Sequence, residues 1–233
     1  MENKEIEINI ADTIIEMPTA FNIGRHNFCI YPPTLGKTYL LSRLFKNLEA
    51  DNRMISSNPY AEALRLCSEK KEIVCRILSY YTFKKKDDVF NNTRIEKRVK
   101  VFSELTTEEL ATLFTLVLSG DNTESYINYF GIDKERKERS RIAEIKKDSS
   151  SITFGGNSAY GTLIDFACQR YGWTVDYIMW GISYANLKML IADSVTTIYL
   201  SEEERKQLGM SVGEVINGDD PKNKGLIRQM ISE

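Results

Sequence analysis

The chain reads as mainly α with a short N-terminal β-hairpin: a helical bundle followed by a smaller C-terminal helical unit. Three observations predict this. A strand-like run from Phe21 to Tyr31 turns at Gly24–Asn27 and ends at Pro32 and Pro33. After Thr106 the apolar residues fall at strict helical spacing. The segment Tyr171–Ile191 gathers both tryptophans and three tyrosines and is interrupted by Gly172 and Gly181. With 233 residues, 42% of them hydrophobic and 10% aromatic, the chain has the material for one sizeable core or two small ones.

Taken in order, the first 17 residues alternate loosely through Ile6, Ile8 and Ile10, which fits a strand or a loose arm. Phe21 and Ile23 before the turn, and Phe28 and Ile30 after it, alternate as hairpin strands do. Neither Pro32 nor Pro33 can donate to a ladder, so the hairpin stops there. Thr34 is placed to cap a helix through Leu35, Leu40, Leu41, Leu44, Phe45 and Leu48. Asn58–Pro59 starts the next helix, because proline at the first helical position loses no needed bond. Its apolar residues Tyr60, Ala63, Leu64, Cys67, Val74, Leu78 and Tyr81 recur up to about Phe83. Thr106 and Glu109 form a capping-box pair. Leu110, Leu113, Phe114, Val117 and Leu118 follow on one face, and Gly120 can close that helix.

Residues 134–147 hold seven basic and three acidic side chains. The small, polar run 148–158 reads as a linker. It divides an N-terminal hairpin-and-helix domain, 1–147, from an aromatic-rich helical unit, 159–233. In the latter, Tyr160, Leu163, Ile164, Ala167 and Tyr171 line one helix face, and Leu187, Leu190, Ile191, Ser194, Val195 and Ile198 another. Ser201 with Glu204, and Ser211 with Glu214, suggest short capped helices. The last dozen residues read as fraying.

Composition narrows the chemistry. Thirty-one basic and 33 acidic residues leave a net charge of −2, so no global field draws nucleic acid or an anionic membrane. The charged N-terminus argues against export. The longest uncharged aromatic run, Tyr177–Leu187, is too short to span a bilayer. A cytoplasmic location is expected, with Cys29, Cys67, Cys75 and Cys168 as reduced, mostly buried thiols. No cofactor or metal site is expected. His26 is the single histidine, which rules out sites built on several. A dyad with Cys29 is one enzymatic option, for which a hairpin turn is a poor scaffold, and a buried acid is the other. The string Thr34–Thr38, TLGKT, lacks the earlier glycine of a phosphate loop, so Lys37 reads as a solvated helix residue. Glu108 and Glu109 read as first-turn helix acids, and Asp176 and Asp193 as helix-start or groove-edge residues that would be functional only if buried with hydrogen-bonded partners. The basic run Arg136–Lys147 reads as a solvated helix face rather than a nucleic-acid site.

Trp173, Tyr177, Trp180 and Tyr184 recur at spacings of four, three and four, which is one helical stripe. Part of it must be core. An excess of aromatic surface would make a groove for an apolar helix of a partner.

The block FNIGRHNFCIYPPTLGKTYLLSRLF resembles the start of the tail-assembly chaperones of long-tailed bacteriophages and prophages, and LIDFACQRYGWTVDYIMWGISYANLKMLIAD resembles the ending of related small tail proteins; the two are read together. The resemblance implies a non-enzymatic factor that coats a long, helical, aggregation-prone tape-measure-like protein until tail-tube subunits polymerise around it. Its expected partners are that client and, beside it, the tail-tube subunits. A homo-oligomer is left open, and neither membrane nor nucleic acid is expected. The implied partner stripe is Trp173, Tyr177, Trp180 and Tyr184, with Leu35 and Tyr39 as a second candidate. The alternative is a structural tail or baseplate component of the same kind of particle.

Overall fold

A computed structural model describes residues 2–146 and 155–209. Most of the expected linker and the Ser211–Glu214 helix lie outside the described residues. The fold is mainly α with a two-stranded antiparallel hairpin. Contacts divide it into two compact units, 1–133 with 153–194, and 134–152 with 195–233. This cuts the chain differently from the expected domains: the aromatic segment joins the first unit, because it packs directly on the residues that follow the hairpin.

The first unit opens with α1 (Glu2–Ile14), where a strand or arm was expected. The alternation of Ile6, Ile8 and Ile10 conceals a four–three period: Ile6, Ile10 and Thr13 are partly buried while Ile8 is exposed. Strands β1 (Thr19–Ile23) and β2 (His26–Ile30) then pair with Phe21 opposite Phe28. Gly24 takes φ 57° at the first position of the two-residue loop, a conformation that glycine adopts without strain.

Helix α2 (Leu35–Leu48) begins where Thr34 accepts from the Lys37 amide. After a short α3 (Asn52–Ser57), α4 (Pro59–Glu69) starts under the Asn58 side chain. The run expected to continue to Phe83 breaks at Lys70 and resumes as α5 (Lys71–Tyr81). The break lets each half take its own partner: α4 packs on α8 (Thr107–Leu118), and α5 on α7 (Asn92–Ser103). Both halves of the expected capping box at Thr106 and Glu109 are formed. Gly120 does not cap; α8 ends at Leu118, with Ser119 as its cap. The short α6 (Lys86–Val89) and α9 (Thr123–Tyr129) complete this part.

Its main core holds Leu41, Leu48, Leu66, Ile77, Leu78, Phe102, Leu110 and Phe114, all fully buried. Each contributes about 1.5–3 kcal/mol. The hairpin closes onto it through Phe21 and Phe28, whose rings lie 6.3 and 6.0 Å from that of Phe102.

From Lys134 onward α10 (Ile132–Ile145) belongs to the second unit and carries the charged run as a mostly exposed helix. The Ser201–Glu204 capping box opens α14 (Glu202–Gln207), and Lys146 reaches Glu204 at 3.6 Å.

Candidate functional site

The segment 160–194 of the first unit positions the aromatic residues. A π-helical turn, Tyr160–Ile164, runs into α11 (Asp165–Tyr171), which ends at Gly172 with φ 66°. Thr174 then caps α12 (Val175–Trp180), and Ser183 caps α13 (Tyr184–Ala192). Ile164, Ala167, Ile178, Ile182 and Leu187 form a second core with Leu35 of α2. Tyr160 is exposed instead of lining this face. Val195 and Ile198 lie beyond α13 and are exposed, so they form no helix face.

The expected stripe of four aromatics is not one helix, because the chain turns between α12 and α13. Gly181 permits the turn: a Cβ there would lie 2.3 Å from the Tyr177 ring. The stripe therefore separates into three environments. Trp173 precedes α12 and stacks on Tyr171 at 4.7 Å, with Tyr177 edge-on to it at 5.2 Å. Trp180 faces α2 and α6. Its indole lies where a Cβ on Gly36 would approach to 2.8 Å, and Phe90 meets it edge-on at 5.4 Å. Tyr184 starts α13, with the Lys188 ammonium 4.9 Å above its ring and its amide donating to Pro33 O at 2.8 Å. Asp176, four residues before Trp180, pairs with Lys86 at 2.5 Å.

The apolar surface that remains on and beside α12 is Val175 (50% exposed), Tyr177 (42%) and Phe90 (57%). Phe90 was not among the expected site residues; it precedes α7 by two residues and belongs to no helical stripe. Of the second candidate pair, Leu35 is 2% exposed and held in the second core, so it presents no surface to a partner; Tyr39 is half exposed.

Lys37 corrects its sequence reading outright. It is 1% exposed, its ammonium donates to Phe83 O, and it lies 5.9 Å from the Tyr31 ring centre. Burial pushes its pKa down to about 8. The amine faces a backbone carbonyl inside the fold, so TLGKT is neither a phosphate loop nor a solvated helix start.

His26 and Cys29 sit three apart on β2, and strand alternation sends them to opposite faces. His26 meets Phe28, while Cys29 lies against Tyr31, whose pKa is raised by burial and then by that thiol. The geometry forms no dyad. Cys67 and Cys75 are buried free thiols, and burial pushes them up to about 12 and 11. Asp193 caps the end of α13 and is exposed. Among the described residues, no cluster of three metal-ligating side chains occurs and no helix is long and apolar enough to cross a membrane.

The two sequence blocks that carry the family resemblance meet here. Thr34 bridges to Ser183, Tyr184 binds Pro33, Gly36 receives Trp180, and Leu35 enters the second core. Glu16 fastens the same junction from α1, accepting from the Ser183 amide at 2.6 Å and from Asn186 at 3.3 Å. Compared with protein-family models, curated proteins and solved structures, the chain matches none.

Proposed function

We propose that this chain is a non-enzymatic assembly chaperone that holds apolar helical segments of a long, tape-measure-like client in the cytoplasm of a bacterial host. The observation that carries the reading is the apolar surface of Val175, Tyr177 and Phe90 on a firmly backed α12. Exposed apolar surface rimmed by polar groups, here the Lys86–Asp176 pair, marks interaction sites. Ile178 in the second core and Trp180 against Gly36 hold the helix from behind, so little ordering entropy is lost when a partner docks. An amphipathic helix laid across such a surface buries its own apolar face. Repetition along one long client adds avidity to weak individual contacts.

The test is to tag the chain in its native host, induce particle formation, and compare what co-purifies from lysate with what finished particles contain. A chaperone is recovered on one long helix-rich protein, several copies per client, and is absent from purified particles. Its presence in finished particles would make it a structural tail or baseplate component instead.

A further inference from the structure

A cleft of about 740 Å³ opens in the first unit where the hairpin, the link between α5 and α6, and α7 come together. Its lining is unlike the rest of the chain. Lys84 and Lys85 enter from the link; Arg94, Lys97 and Arg98 enter from one face of α7 at i, i+3 and i+4. Asp88 is the one carboxylate among the lining residues, and it pairs with Arg94. Five cations and one anion leave the cleft with four positive charges, so the other residues of this chain of net charge −2 carry six negative ones.

Like charges on one helix face oppose the helix, and Lys84 and Lys85 placed nearby add to the repulsion. Arg98 is the best-positioned member. Its guanidinium lies over the rings of Phe28, at 4.5 Å, and Phe83, at 4.7 Å. Burial draws its pKa below the usual guanidinium range. Cation–π contact with both rings restrains the guanidinium, whose fork of N–H donors suits a planar, bidentate acceptor. Arg98 lies over both rings, where a base would otherwise stack.

We infer that this cleft binds a compact phosphate polyanion, two or three linked phosphates, with Arg98 as the planar anchor and Lys84, Lys85 and Lys97 as surrounding point charges. Four net charges exceed what one carboxylate needs and match a pyrophosphate or a nucleoside triphosphate tail. A cleft of this size is in the range that takes a small ligand. A long nucleic acid would extend from it across a chain whose remaining charge is negative. The inference is independent of the client-binding proposal, since the cleft and α12 share no residue.

Calorimetry on the full chain at low salt, with pyrophosphate, adenosine triphosphate and a single-stranded oligonucleotide as probes, tests it. Saturable binding of pyrophosphate or adenosine triphosphate is expected, weakening with added salt. Lys97→Glu, at an exposed position, should weaken it at least tenfold, and Arg98→Gln should do the same. Lys46→Glu, exposed and outside the cleft, should leave it unchanged. Equal affinity for the two phosphates points to the phosphate chain alone, and tighter adenosine triphosphate points to a nucleotide; either supports the inference. Three results would overturn it: no binding of either phosphate, binding indifferent to Lys97→Glu, or binding of the oligonucleotide alone.

Discussion

Gly36 accepts no side chain: a Cβ there would stand 2.7 Å from Met179 O and 2.8 Å from the Trp180 indole. Gly36→Ala must displace backbone as well as a ring, so a loss of about 1–3 kcal/mol is expected in a denaturant melt. An unchanged midpoint would mean that α12 does not rest on α2. Its neighbour Lys37 makes a pH prediction. The folded pKa of about 8 lies below the ordinary 10.5 because burial disfavours the ammonium. Below pH 8 both states hold the proton and the folded state bears the whole penalty. Between pH 8 and 10.5 the unfolded state binds more protons, so stability rises with pH. Relative to Lys37→Met, the unsubstituted chain should gain about 3 kcal/mol across that window, measured by urea melts at successive pH values. Parallel curves would contradict the assignment. Neither role was legible locally. Gly36 and Lys37 look like an ordinary helix start, and what constrains them comes from Trp180 and Phe83, far away in sequence.

At the scale of elements, legibility follows how local the cause is. The hairpin, the Thr34, Asn58, Thr106 and Ser201 caps, and the face of α8 are set by residues within a few positions of one another, and each forms as expected. Thr106→Ala removes one half of a capping box and should cost about 1 kcal/mol in a thermal melt. Phe114→Ala, in the centre of the face it caps, should cost about 3–5 kcal/mol. A larger loss from the cap than from the core would show that the helix end, not burial, holds α8. Where tertiary packing decides, the pattern misleads. The break at Lys70 comes from the different partners of α4 and α5, and α1 hides a helical period inside an alternation. The aromatic spacing of four, three and four passes through a turn at Gly181, so it is coincidence rather than one face.

For the whole molecule, the fold class was legible and the division of the chain was not. Contacts between Pro33–Gly36 and Trp180–Tyr184 bind the aromatic segment to the first unit, and nothing in the composition of residues 148–158 announces that return. Of the residues singled out by sequence, Tyr177 is exposed beside Val175, Trp180 packs against Gly36 and Phe90, and Leu35 is core, while Phe90 joins the surface from another element. The basic cleft escaped because its cations come from two segments that only the fold brings together. The central claim is that the surface around α12 holds a helical client. Its most direct measurement is recovery of that client from native-host lysate by tagged chains carrying Val175→Asp or Tyr177→Ala, each first shown to keep the unsubstituted circular dichroism spectrum and melting temperature. The account predicts at least a tenfold fall in the recovered long helical protein; undiminished recovery by both variants would contradict it.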